Sequence, residues 1–584
     1  ETRHCVMDIV EEILEVSKVV NIAALVALFS ILRKRLPAKY LPRNLRNLVD
    51  VSAGSPENYP RAFWRWLHQQ PWRKMLPNPV EIQLVLLDMS QEVPRHLGVW
   101  HMFLVSDVLG HMYNYSFELF RKKFIGEDGE IERFWNSVRH TEWFKCHPVL
   151  SLPDIDLSLV IPLMIHGDGA DSHRRRSFMI TTVGSVVTQG SMWDTRFVCY
   201  VFDEARAAED SLATLDTWVC WSLLEAQLGH YLDLDPFGRP YAPYKDHGRR
   251  GLIMGRYRAV LAIHKGDEKY VQKTYRSSNS AVSRNICMVC KASSETGPLL
   301  YTLHCVTAPH RQTLMDTPTF IEEIAGVHTW VQLPGWGIQV LCHDWLHVVD
   351  LTLVPEASAS ALLELCHEGI FGLGNLDEKL RRAHILFVKA CRAEKVRNRA
   401  QIFCSKHLFP NGNKSYPTLA QKHMNGAEAV VMAKWLRGIC VSVAARAPND
   451  EHAALRAAVF VNLTAMREYM SGPANSIALT PENLAGLQKA NFLYHSALNS
   501  LALEAINAGK LLWKVRPKGH KLDHICYDMA KYVNPLRVTC YMDEDCVGRL
   551  KQLAMHSHPV QMGHQVLERY SAYVCCRWLR QENE

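Results

Sequence analysis

Two aspartates in this sequence stand where a carboxylate can do metal chemistry. Asp168 follows an apolar run and sits between Gly167 and Gly169, which let the backbone turn sharply and leave the carboxylate at a strand end. Asp267 repeats the arrangement, following the apolar run RAVLAIH and adjoining Gly266. Two carboxylates held close together repel each other and capture a divalent cation. A lone Asp beside Gly is ordinarily a solvated turn residue, but matched positions at the ends of two strands favour the paired reading.

The elements that must position these two residues can be read around them. LSLVIPLMIHGDGAD, SFMITTVGSVV and TRFVCYVF are three β-rich runs separated by Gly, Ser and Arg, so three consecutive strands are expected. Residues 205–231 then show helical periodicity in Leu212, Leu215, Trp218, Val219 and Leu223, and RYRAVLAIH at 256–264 reads as a fourth strand. In an RNase H-like sheet with that order the first and fourth strands lie side by side, so Asp168 and Asp267 would meet although 99 residues separate them.

Around this core the texture changes. Residues 1–150 are mostly helical in pattern, as in Ile9, Ile13, Leu14 and Val16, and prolines break them into short pieces. Residues 151–286 carry the strands, 287–354 form a Cys/His-containing segment, and 355–514 read as an all-helical block with apolar spacing such as Ala429, Val430, Met432, Ala433 and Leu436. Residues 515–584 return to a dense mix of His, Asp and Cys. The expected fold is α+β or α/β: a mixed sheet flanked by helices, interrupted by a large all-α insertion and preceded by a helical N-terminal region.

Composition limits the classes. In 584 residues, 48% are hydrophobic, 21% are charged and 15 are Trp, which excludes wholesale disorder. Lys and Arg exceed Asp and Glu by 66 to 59, a formal +7 that is too small for a polycation, although local basic patches could hold nucleic acid. Seventeen cysteines, several of them in apolar runs (Cys220, Cys342, Cys440), suit a reducing compartment. The apolar run at 19–32 spans 14 residues, short of the roughly 20 that cross a bilayer, and it follows acids at Glu11, Glu12 and Glu15. A buried helix is expected there, with no secretion signal and no membrane partner.

Cys287 and Cys290 have the spacing at which two thiolates grasp one Zn²⁺, but a tetrahedral site needs two more ligands. His347 and Asp344, one helical turn apart, are the expected partners, with His304, Cys305 or His343 as substitutes. The plain alternative is two buried cysteines and a helix-capping histidine. His520 and His524 lie four apart and could share a helix face; a structural role beside the catalytic pocket is favoured for them over metal binding or proton transfer. Of the basic clusters, Arg121-Lys122-Lys123 and its like read as solvated faces. Arg174, Arg175 and Arg176 are the exception, since they begin six residues after Asp168, where a phosphate backbone would pass.

Taken together, these landmarks resemble a CACTA (En/Spm-type) DDE transposase with an RNase H-like catalytic core. The resemblance spans about residues 155–560. It rests on IHGDGAD at Asp168, on Asp267 a short way before the CxxC, on CHDWLHVVDL with its Asp344-x-x-His347, and on PKGHKLDH, NPLRV and YMDEDCVGRLK near the end. The resemblance implies a third acid among Asp543, Glu544 and Asp545. The family carries a single Glu after an aromatic residue where this chain has an acidic triplet, and Glu544 is chosen as the family's residue type. It further implies Mg²⁺ or Mn²⁺ held by Asp168, Asp267 and Glu544, strand cleavage and strand transfer on double-stranded transposon ends, a nuclear location and a homo-oligomer. The alternatives are a domesticated or decayed relative that grips DNA without cutting it, and a helical scaffold with chance Asp-Gly turns. The last requires Asp168 and Asp267 to lie far apart.

Overall fold

Between Val80 and Leu87 the apolar residues alternate with polar ones: Ile82, Leu84 and Leu86 are buried while Glu81 and Gln83 face water. That two-residue period makes a strand, β1 (Val80–Leu87), which pairs antiparallel with β2 (Arg95–Met102). The helical pattern expected across 1–150 is therefore interrupted by a hairpin and resumes in α1 (Val105–Tyr115) and α2 (Glu130–Val138). The computed structural model describes residues 71–87, 95–171, 177–241, 251–325, 328–409, 412 and 414–583. The apolar run at 19–32, the rest of the expected N-terminal helices up to residue 70, and Arg174, Arg175 and Arg176 lie outside the described residues.

The central sheet follows the expected order. β3 (Val160–Asp171) pairs antiparallel with β4 (Ser177–Ser185), β4 pairs antiparallel with β5 (Phe197–Asp203), and the chain returns through α3 (Ser211–Leu228) to β6 (Arg258–Gly266), which runs parallel to β3. The spatial order is β5-β4-β3-β6, a mixed four-stranded sheet flanked by helices. Both faces are covered, which is why β3 and β6 read as continuous apolar runs rather than alternating ones. Past β6, Leu341 makes a single parallel bridge to His264. The outer edge of β5 is closed by the hairpin, with Trp100 Nε1 donating to the Val201 carbonyl at 3.0 Å and Phe103 N to that of Cys199 at 2.7 Å.

The short α4 (Glu268–Thr274) follows β6 directly. A block of five long helices comes later: α5 (Val354–His367), α6 (Leu376–Ala393), α7 (Gly426–Arg446), α8 (Glu451–Met470) and α9 (Pro481–Asn507). Reciprocal capping boxes, Asn375 with Glu378 and Asn425 with Glu428, set the starts of α6 and α7. Leu346–His367 is apolar and long enough to cross a membrane, but 83% of its apolar window is buried inside the protein. The chain then re-enters the core through α10 (Pro517–Tyr527), α11 (Tyr541–Met555) and α12 (Met562–Asn583). Asn534 ties the insertion to this return, its Nδ2 donating to the carbonyls of Met470 (2.8 Å) and Asn475 (2.5 Å). α12 packs on β5, anchored by Tyr570 Oη to the Arg196 carbonyl (2.7 Å) and Trp578 Nε1 to that of Trp193 (3.1 Å).

Candidate active site and metal centre

β3 and β6 pair in register through Gly167 and Gly266, so Asp168 and Asp267 follow side by side on strands about 4.8 Å apart. The glycines are required by what covers them. A Cβ on Gly167 would stand 2.0 Å from the ring of Tyr270, and one on Gly266 2.4 Å from it. Tyr270 is itself pinned by its hydroxyl to His264 Nε2 at 3.0 Å. Asp267 caps α4, its Oδ1 accepting from Tyr270 N at 2.6 Å, and Asp168 Oδ1 accepts from Gly169 N at 2.7 Å. Each carboxylate thus has one oxygen fixed by backbone.

The third acid comes from α11, where the three consecutive carboxylates have three environments. Asp543 is fully buried and paired with Arg196 Nε (2.5 Å) and Lys265 Nζ (2.6 Å). Burial opposes its ionisation, but the two cations overcome it and hold the carboxyl far below the usual range. Asp545 faces solvent. Glu544 lies between these extremes, with its side chain 29% exposed and Oε1 3.3 Å from His347 Nε2. The carboxyl of Asp168 is pushed up to about 8, first by burial and then by the charges of Glu544 and Asp267. The charges of two acids from distant stretches of chain, Glu544 and Asp267, thus both bear on Asp168.

His347 is the orienting group of this site. Its Nδ1 is 2.6 Å from Asp344 Oδ2, whose Oδ1 accepts from Cys540 N (2.8 Å) and Thr539 Oγ1 (3.1 Å) just before α11 begins. Burial works against the imidazolium, yet its hydrogen bonds with Asp344, Cys540 and Glu544 raise its pKa well above the ordinary histidine range. Both ring nitrogens then donate, one to Asp344 and one to Glu544. Beside Asp267 and His347 opens a cavity of about 390 Å³, on whose wall stand Lys518 and Lys521. Lys521 pairs with Glu268 at 2.6 Å, and Lys518 Nζ donates to the His347 carbonyl at 3.1 Å.

The position of His347 corrects the expected ligand set of the cysteine pair: neither it nor Asp344 reaches Cys287 and Cys290. Their partners are His520 and His524 of α10, with all four donor atoms within 4.8 Å of one another and all four residues buried. Cys290 Sγ is 3.2 Å from His520 Nε2, Cys287 Sγ is 3.4 Å from His524 Nε2, and the two Nε2 atoms are 3.0 Å apart. A tetrahedral ion with bonds of about 2.0–2.3 Å separates its ligands by about 3.3–3.8 Å, so the cluster has the size of such a site. His524 Nδ1 meets Asp528 Oδ2 at 2.8 Å, and Asp528 in turn pairs with Arg311 at 2.6 Å, the outer hydrogen bonding that fixes the ring of a metal-bound histidine. Cys287 pays for burial, but His524 and the Cys290 thiol favour its thiolate. The His-x-x-x-His spacing on one helix was the available signal for these ligands. Only the fold shows that α10 docks on the CxxC turn.

The other substitutes go elsewhere. His304 Nδ1 is 2.7 Å from Asp523 Oδ2, and His343 packs its ring 5.7 Å from that of His524 without joining the four donors. No protein-family model and no curated protein matches this chain.

Proposed function

We propose that this chain is a DDE-type polynucleotidyl transferase of the CACTA (En/Spm) kind, cutting and joining strands of double-stranded DNA by in-line phosphoryl displacement. The observation that carries the reading is that the charges of Glu544 and Asp267 both raise the proton affinity of Asp168. An all-oxygen donor set whose members repel one another suits hard divalent cations. The strand order β5-β4-β3-β6, with β6 paired parallel to β3 and β4 antiparallel to both of its neighbours, is the second support, because it is the arrangement of an RNase H-like core with acids at the ends of its first and fourth strands.

Mg²⁺ or Mn²⁺ bound there would activate a water or 3′-hydroxyl and offset charge on the leaving oxygen. The chain's own residues supply the rest. Asp543, locked to Arg196 and Lys265, fixes the start of α11 so that Glu544 projects toward the aspartates, and His347 holds the Glu544 carboxylate in place. Lys518 and Lys521 put positive charge on the wall of the adjoining cavity, where a phosphodiester would lie. A structural Zn²⁺ held by Cys287, Cys290, His520 and His524 would staple α10 to the loop after α4. The reading carries with it a nuclear location and a homo-oligomer acting on paired transposon ends. Purified protein is expected to nick duplex DNA with Mg²⁺ or Mn²⁺, and Asp168→Ala and Asp267→Ala to abolish nicking while DNA binding persists. Nicking that survives both substitutions would sink the proposal.

A further inference from the structure

At the other end of the sheet from the acids, residues 121–133, 187–196, 470–476 and 534–542 enclose a half-open cavity of about 950 Å³. Met164 of β3 lines it, four residues or about 13 Å along the strand from Asp168. The first turn of α11 separates the two places, with Met542 facing the cavity and Glu544 facing His347. The space is therefore distinct from the metal site, and its size lies within the range of about 300–1,000 Å³ typical of small-molecule sites.

Its lining divides in two. Met164, Met470, Leu536 and Met542 supply its apolar lining, rich in the side chain that best adapts to a flat ring system. Lys122, Arg133 and Arg537 bring positive charge, opposed by Glu127 and Glu130. Arg537 is the built part. Its side chain is 5% exposed; Nε donates to the Val186 carbonyl at 2.7 Å and Nη2 pairs with Glu130 at 3.4 Å, while Nη1 has no hydrogen-bond partner. A guanidinium cannot shed its proton, so this buried donor awaits an acceptor. Lys122 and Arg133 are exposed and make no ion pair among the described residues, so their charge is uncommitted, unlike that of Arg196, which belongs to Asp543.

We propose that this cavity binds a nucleotide-class small molecule, with its heteroaromatic ring against the methionine side chains and its phosphates against Arg537, Lys122 and Arg133. The test uses the full chain in Mg²⁺-free buffer at fixed ionic strength, so that the three acids cannot recruit a metal-bound nucleotide. Calorimetric titration with ATP, adenosine and inorganic tripolyphosphate would be compared between the wild type and Lys122→Glu/Arg133→Glu. Saturable ATP binding is expected, at least tenfold tighter than binding of either fragment and at least tenfold weaker in the double variant. Lys122→Gln/Arg133→Gln serves the same purpose should the charge reversal disturb folding. No saturable ATP binding, an affinity unchanged in the variants, or tripolyphosphate binding as tightly as ATP would each overturn the proposal. So would a short duplex DNA that displaces ATP stoichiometrically, since the cavity would then belong to a DNA path.

Discussion

Replacing Asp168 with Asn should stabilise the metal-free protein, and the size of the effect can be worked out from the site. An ordinary aspartate loses its proton near pH 3.8, whereas in the metal-free fold burial and the charges of Glu544 and Asp267 hold that of Asp168 until about pH 8. Between these values the folded state binds one more proton than the unfolded chain, so the stability tied to this group is present below pH 4 and is lost as pH rises toward 8. At about 1.4 kcal/mol per decade of proton affinity, the loss by pH 7 is at most about 4 kcal/mol, an upper bound because solution ions screen part of the repulsion. Asn has the same shape, keeps an acceptor for Gly169 N and carries no charge. Thermal or urea unfolding from pH 5 to 8 in chelator-free, divalent-free buffer is the assay. Asp168→Asn should lie closest to the wild type at pH 5, the low end of the range, and exceed it increasingly toward pH 8, and millimolar Mg²⁺ should raise the wild type alone. An Asn variant less stable at every pH, or a wild type indifferent to Mg²⁺, would refute the idea that three carboxylates crowd one site.

Four other outcomes follow from the geometry. Elemental analysis should find one Zn²⁺ per chain that is lost in His524→Ala and retained in His347→Ala; retention in the first would discredit the Cys287, Cys290, His520 and His524 cluster. Asp543→Ala should cost about 3–5 kcal/mol in urea unfolding, because it strands Arg196 and Lys265 in the interior. Asp545→Ala, on the exposed side of the same turn, should stay within about 0.5 kcal/mol. His347→Ala should lower Mg²⁺-dependent nicking by about 10–100-fold through loss of the group that orients Glu544, with no change in zinc content, and an unaffected rate would remove His347 from the site.

The sheet was legible because its signals are local. The three strands, the helix and the fourth strand each announce themselves by apolar runs and Gly punctuation, and the observed β3, β4, β5, α3 and β6 fall on those runs. The choice of Glu544 within an acidic triplet came from a resemblance, and the physical distinction appears only in three dimensions: Asp543 is consumed by two buried cations, and both come from strands or turns more than 250 residues earlier. The β1–β2 hairpin is hidden because each of its strands is only eight residues long and lies inside a helix-like stretch. The partners of the cysteine pair are illegible for the same reason of distance. Asp344-x-x-His347 and His520-x-x-x-His524 are both plausible completions of a CxxC, and only the docking of α10, 230 residues on from Cys290, decides between them.

The position of the third acid also bears on how the protein is made. The 277 residues between Asp267 and Glu544 take a ribosome about 14–55 s to add at about 5–20 residues per second. Until then Arg196 and Lys265 lack the carboxylate that neutralises them in the interior, so this part of the core cannot close around its buried charges. Glu544 is the very next residue after that carboxylate. Final burial of the core and placement of Glu544 thus depend on the same short segment, and a nascent or truncated chain that stops short of it would carry Asp168 and Asp267 without Glu544.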